Sequence, residues 1–239
     1  MRIAMWSGPR NLSTAMMYAF AARSDCAVVD EPFYAAYLAK TGLNHPMRAE
    51  ILAAQPHDPE QVEQAITGSI PAQKPHFYQK HMTQHMIPEM PRGWMKQVTN
   101  VFLIRHPARV VASFTAKYDK PTLTDIGFAQ QADLFDYTRS LGQTPIVIDS
   151  ADIRRDPQAM LKRLCAELAL DWSPAMLGWP AGGHRDDGVW AAHWYGAVHR
   201  STGFAPAEGP LPDLTSEQQQ LCDQALPFYD KLQSQKLAL

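Results

Sequence analysis

Trp6-Ser-Gly-Pro-Arg-Asn-Leu-Ser-Thr14 lies between an apolar stretch, Arg2–Ser7, that predicts a strand and a second stretch, Leu12–Ala22, whose spacing predicts a helix. A strand-to-helix turn of this composition suits an anion. Gly8 and Pro9 make the turn, Arg10 brings charge, and Ser13 and Thr14 place hydroxyls where the helix begins. The N–H groups of a first helical turn have no partner within the helix and face whatever sits beyond it. The Walker pattern, which requires Gly-Lys-Ser/Thr after its spacer, is absent. Taken by itself, the segment reads equally well as an ordinary turn with Asn11 as helix cap.

A second segment, Val101–Ser113, shifts that balance. Its apolar run ends in Arg105, passes through His106-Pro107 and continues as a helix-like run that carries Ser113 eight residues after Arg105. Proline suits a first helical turn. Arg105 then stands at the carboxyl end of a strand, and Arg105 and Ser113 converge on one phosphate at the sheet edge. For an isolated strand-end arginine the competing role is an ion pair.

These segments resemble two motifs of the sulfotransferases. Pro9-Arg-Asn-Leu-Ser-Thr14 looks like their Pro-Lys/Arg-Ser-Gly-Thr/Ser-Thr loop, and the Arg-to-Ser spacing of eight matches their second nucleotide motif. Val28-Val-Asp-Glu-Pro-Phe33 is similar to the Ser-Glu-Pro stretch of several bacterial members. The pattern is closest to short bacterial sulfotransferase-like proteins, relatives of a domain fused to aminotransferase-like plant proteins, and keeps good order over residues 1 to about 170. The resemblance implies 3′-phosphoadenosine 5′-phosphosulfate (PAPS) as co-substrate and no metal. It implies that Gly8, Pro9, Arg10, Asn11, Leu12, Ser13 and Thr14 hold the 5′-phosphosulfate, and that Arg105 and Ser113 hold the 3′-phosphate. Asn11-Leu12 departs from the family's Ser-Gly, so a backbone position that lets phosphate approach closely carries a side chain. The basic, glycine-containing C-terminal loop of animal members is not recognisable.

Sulfuryl transfer needs a base for the acceptor and positive charge on the leaving oxygen, much as positioning and electrostatics dominate phosphoryl transfer. Arg10 serves the leaving oxygen. Glu31, which directly follows a predicted strand at Cys26–Asp30, is one candidate base. His81 is the other, because Lys80-His81 weakly resembles the Lys-x-His stretch of animal sulfotransferases, although its one-residue spacing is missing. Lys80 would assist charge stabilisation. His81 and His85 also have the i, i+4 spacing of zinc ligands, but no Glu lies between them and Pro88 leaves little room for a helix. Two other readings stay open: a P-loop kinase or NTPase with Asp30 or Asp149 as its Mg²⁺ partner, and a nucleotide-binding protein that keeps the fold without turnover.

The chain of 239 residues, 46% hydrophobic and 19% charged, is long enough for one α/β domain. Strands are also expected at Phe77–Lys80, Val101–Ile104 and Pro145–Asp149. Helices are expected near Pro46–Ala54 and Pro59–Ile70, then at Ala108–Tyr118, Leu123–Leu141, Asp156–Leu168 and about Thr215–Gln235. Alternating elements with continuously apolar strands predict a mostly parallel central sheet with helices on both faces, and the resemblance makes this a three-layer P-loop-type fold. Residues 34–75 form a helical cap on the acceptor side. Gly178–Pro212 is a long loop that either covers the nucleotide, with Arg200 or Ser201 near the 3′-phosphate, or packs as an irregular tail. A net charge of −2 offers no general attraction for nucleic acid or an anionic membrane, and no apolar run approaches the ~20 residues of a membrane span. Three widely spaced cysteines fit a reducing cytoplasm. The expected partner is a small-molecule acceptor with a hydroxyl or amine; its identity and the oligomeric state leave no mark in the sequence.

Overall fold

The computed structural model describes every residue, 1–239. Five strands form one sheet: β1 (Arg2–Ser7), β2 (Cys26–Asp30), β3 (His76–Met82), β4 (Thr99–Ile104) and β5 (Ile146–Asp149). Their spatial order is β2-β3-β1-β4-β5, and every neighbouring pair is parallel. The strands are apolar on both sides because both sides are covered. In β1, Ile3 and Met5 enter one core while Ala4 and Trp6 enter the other. Burying a side chain such as Ile3 or Met5 stabilises by about 1.5–3 kcal/mol, so the two cores hold the sheet between them.

Twelve α-helices accompany the sheet. The first six are α1 (Ser13–Ala21), α2 (Tyr34–Thr41), α3 (Arg48–Ala54), α4 (Pro59–Thr67), α5 (Pro107–Thr115) and α6 (Leu123–Ile126). The rest are α7 (Phe128–Ser140), α8 (Ser150–Arg155), α9 (Pro157–Glu167), α10 (Ala191–Trp194), α11 (Gly196–His199) and α12 (Ser216–Gln233). Residues of α1 and α9 pack on one face of the sheet; residues of α2 to α7 and α12 pack on the other. The result is the three-layer α/β arrangement expected. No helix is long and apolar enough to cross a membrane.

Three helices were not expected from the sequence: α8, directly after β5, and α10 and α11, which are single short turns within the expected loop Gly178–Pro212. Two further departures have local causes. The expected helix over 123–141 is two helices, because Gly127 takes φ 71° and its carbonyl accepts from Thr83 Oγ1 at 2.9 Å. A Cβ at Gly127 would lie 2.6 Å from that hydroxyl. α2 is not among the helices expected within residues 34–75, since it starts after Phe33 with no capping side chain to announce it. The other bounds differ from those expected by a few residues, as frayed ends commonly do.

All five strands run the same way, so the segments after them meet at one edge: Gly8–Leu12 after β1, Glu31 after β2, Thr83–His85 after β3 and Arg105 after β4. β1 and β4 are neighbours, which brings the two anion motifs together where the winding of the sheet reverses. Gly8 is required there for space. A Cβ on it would sit 2.6 Å from the backbone oxygen of Ile126, at the end of α6. Gly8→Ala is expected to lower unfolding free energy by about 1–3 kcal/mol through this overpacking; an unchanged denaturation midpoint would mean that α6 moves aside freely.

Candidate active site

The turn after β1 is held open by backbone geometry that its side chains do not favour. Arg10 and Leu12 both lie in the left-handed region, with φ 58° and 64°. Leu12 occupies the N-cap position of α1, and no side chain caps the helix. The Asn11 side chain, a possible cap in the sequence, instead donates from Nδ2 to the Leu103 carbonyl of β4 at 2.6 Å. This bond ties the loop to the neighbouring strand. The first backbone bond of α1 runs from the Met16 amide to the Leu12 carbonyl, leaving the amides of Ser13, Thr14 and Ala15 without a protein acceptor. Those residues line a cleft of about 330 Å³, as do Pro9, Arg10, Arg105 and Ser113.

Within that cleft the two motifs touch. Arg10 Nε donates to Ser113 Oγ at 2.9 Å, and Arg105 Nη1 donates to the Arg10 carbonyl at 2.6 Å. Burial, and then the neighbouring Arg105 charge, push the Arg10 pKa below its ordinary value. Two guanidiniums brought together beside unpartnered amides make a site that favours an anion. Leu12 lines the same cleft, beside the unpartnered amides of the following turn. Thus the residues present fit a phosphate or phosphosulfate group despite the Asn11-Leu12 departure.

The other end of the cleft is built around a buried lysine. Lys80, on β3, pairs in register with Asp30 of β2. Its ammonium donates to Asp30 Oδ1 at 2.8 Å, Glu31 Oε1 at 2.5 Å and the Tyr195 hydroxyl at 2.7 Å, so all three of its donors are used. Tyr195 in turn accepts from Trp190 Nε1 at 3.0 Å and donates to Asp30 Oδ2 at 2.8 Å. Burial acts to lower the Lys80 pKa, but the adjacent carboxylates outweigh it and hold the value above normal. Glu31 is the second carboxylate facing a single ammonium. Its burial, partly opposed by Lys80, raises its pKa. Its backbone is also constrained, with φ 40° at the strand end. Oε1 is engaged by Lys80, while Oε2 is 3.9 Å from His85 Nε2 and is the atom left for a proton.

His81 is placed differently from Glu31. It is next to Lys80 in sequence and therefore points to the opposite face of β3, where its ring stacks on Trp6 at 4.5 Å and lies 5.1 Å from Trp94. Burial and the Lys80 charge push its pKa down to about 3. It does not line the cleft. His81 therefore fits a neutral core residue rather than the proton acceptor considered from the sequence. His85 does line the cleft, between Tyr34 at 4.4 Å and Tyr37 at 4.9 Å. Burial holds its pKa well below normal.

The remaining walls come from the cap, from α5 and the residues just after it, and from the C-terminal segment 178–212. Tyr34, Tyr37, His45, Phe114, Tyr118 and Trp194 give the lysine end an aromatic lining. Ser201 also faces the cleft, whereas Arg200 is exposed and Arg105 is engaged by a different loop residue, Glu208. The acidic groups of the kinase reading are committed elsewhere: Asp30 to Lys80 and Tyr195, and Asp149 to Tyr229 and the Ala151 amide. Sequence reasoning missed the part played by Tyr195. His193-Trp-Tyr195 stood out as aromatic, but nothing local indicates a contact with residues 30, 31 and 80.

Comparison with known proteins agrees with this geometry. A family model described as a sulfotransferase domain matches residues 1–236. Two Arabidopsis thaliana proteins, branched-chain-amino-acid aminotransferase-like proteins 1 and 2, are 36% and 34% identical over 96% and 95% of this chain. The matches cover 41% and 40% of those proteins, so the chain spans about two fifths of the length of these curated relatives. The solved sulfotransferase from Alicyclobacillus acidocaldarius has a TM-score of 0.54 at 11% identity, over 97% of this chain and 94% of that one. The sulfotransferase domain of the Synechococcus PCC 7002 olefin synthase has a TM-score of 0.51 at 19% identity, over 94% of each chain. These likenesses are of fold. With the family model spanning nearly the whole sequence and both nucleotide-type motifs meeting in one cleft, the chain belongs to the sulfotransferase domain family.

Proposed function

We propose that the protein transfers a sulfuryl group from PAPS to a hydroxyl or amine of a small-molecule acceptor. The observation that carries this reading is the convergence of Arg10, Ser113 and Arg105 with Glu31 in a single cleft. PAPS supplies a sulfuryl group already activated by a phosphate leaving group. The amides of Ser13 to Ala15 and the Arg10 guanidinium bind the 5′ end, and Arg10 opposes the charge that grows on the bridging oxygen. Arg105 and Ser113 bind the 3′-phosphate. Glu31 Oε2 takes the acceptor's proton as the acceptor atom attacks, while the Lys80 ammonium, itself held by Asp30 and Tyr195, fixes Oε1 and keeps the carboxylate in one orientation. The aromatic side chains of the lysine end receive the apolar body of the acceptor and exclude water. No metal takes part.

Donor recognition is tested by thermal stabilisation. 3′-Phosphoadenosine 5′-phosphate is expected to raise the unfolding midpoint more than ADP does, because preferential binding to the folded state stabilises it. Arg105→Ala should reduce that preference by about 1.5–3 kcal/mol, the scale of a hydrogen bond to a charged group. Equal stabilisation by the two nucleotides would remove the 3′-phosphate assignment.

Base identity is tested by pH profiles of transfer from labelled donor across an acceptor panel. A general base works when deprotonated, so turnover should climb as pH rises through the Glu31 ionisation, at a value above the ordinary carboxylate range. Glu31→Gln should reduce turnover ~10²-fold or more and abolish that limb while retaining donor binding. His81→Asn, assayed where the variant remains folded, should keep the limb. Binding without transfer under every condition would instead favour the non-catalytic reading.

A further inference from the structure

Glu208 belongs to a segment, residues 204–214, with no regular secondary structure, between the bridge joining Gly178 to Gly203 and the Thr215 cap of α12. Most of this strap is exposed, and Leu211 is 50% accessible. The Glu208 side chain is only 6% exposed and is surrounded by Arg105, Arg109 and Arg154. Arg154 Nη1 lies 2.5 Å from Oε1, which also accepts from Arg105, and Arg109 Nε lies 3.2 Å from Oε2. Arg154 donates to the Pro206 carbonyl at 2.9 Å, and Arg109 donates to the Gly209 carbonyl. The strap is thus pinned by arginines more than by apolar packing.

The charges do not match. Three guanidiniums face one carboxylate, leaving two positive charges uncompensated. Oε1 takes two of the arginines, whereas Oε2 has no aligned hydrogen bond despite its closeness to Arg109. A phosphate monoester carries close to two negative charges at neutral pH and three acceptor oxygens, which suits this cluster better than a carboxylate does. Arg105 lines the donor cleft as well, so the cluster and the cleft share a wall.

We infer that Arg105, Arg109 and Arg154 form a binding site for a dianionic phosphate monoester, and that Glu208 is an internal occupant that the ligand displaces. The inference rests on the donor reading only in naming the nucleotide's 3′-phosphate as the group that arrives. Arg109 on α5 and Arg154 on α8 then complete a site of which Arg105 is one member. Displacement frees residues 204–214 while the ligand is bound.

The test compares wild type with Glu208→Gln, which keeps the side-chain shape and removes the charge. Calorimetry should show 3′-phosphoadenosine 5′-phosphate binding the variant at least tenfold more tightly, with ADP affinity unchanged within twofold. Hydrogen exchange of wild type should show faster exchange at residues 204–214 when the bisphosphate binds, a readout that does not depend on the variant folding. Unchanged or weaker bisphosphate affinity in the variant, or equal or slower strap exchange in bound wild type, would overturn the inference. If neither protein binds a nucleotide, the donor reading fails and inorganic phosphate decides the site. Tighter phosphate binding by Glu208→Gln would support the cluster, and equal binding would refute it.

Discussion

The three hydrogen bonds of the Lys80 ammonium are the interaction on which the candidate site depends. An uncompensated ammonium at that depth would be costly, and Asp30 is the carboxylate that makes it tolerable. Once Asp30 and Lys80 are paired, Glu31 and Tyr195 are drawn to the donors that remain. A sheet edge, a strained strand end and a remote loop are thereby fixed to one atom. Removing one partner from such a network leaves a buried charge, so its members act as a unit rather than as separable contacts.

The same network sets the chemistry of Glu31. A carboxylate alone in an apolar pocket would remain protonated, and one bonded to a free ammonium would be a poor base. Sharing Lys80 with Asp30 leaves Glu31 between these limits, with a raised pKa and one engaged oxygen. The anion end is built on the contrary principle: two guanidiniums are held together, and helix amides are left without partners. Each end is incomplete by itself in a complementary sense, and parallel strand order is what puts them in the same cleft.

Much of this was legible in the chain because it is local. Arg2–Ser7 and Cys26–Asp30 have the bounds their apolar runs predicted, and the turn between β1 and α1 is where Gly8-Pro9 suggested. The spacing from Arg105 to Ser113 likewise survives as a common place at the end of β4 and on α5. What remained hidden is what only folding brings together. Tyr195 meets residues 30, 31 and 80 across long sequence separations, and Glu208 meets arginines from two different helices and a strand end. His81 shows a different limit: strand alternation turns it away from its neighbour Lys80, a distinction that the dipeptide alone does not reveal.

The loop after β1 has a consequence for the thermodynamics of ligand capture. Glycine at position 12 would reach its left-handed conformation easily but would also wander among others; leucine holds that conformation against its own preference, with Asn11 tethering the loop to β4. The ordering of this segment is therefore completed during folding. An anion that bound in the cleft would meet amides already aligned and would forfeit little conformational entropy, so its association would draw on enthalpy with a smaller opposing entropy than a glycine-rich loop would impose.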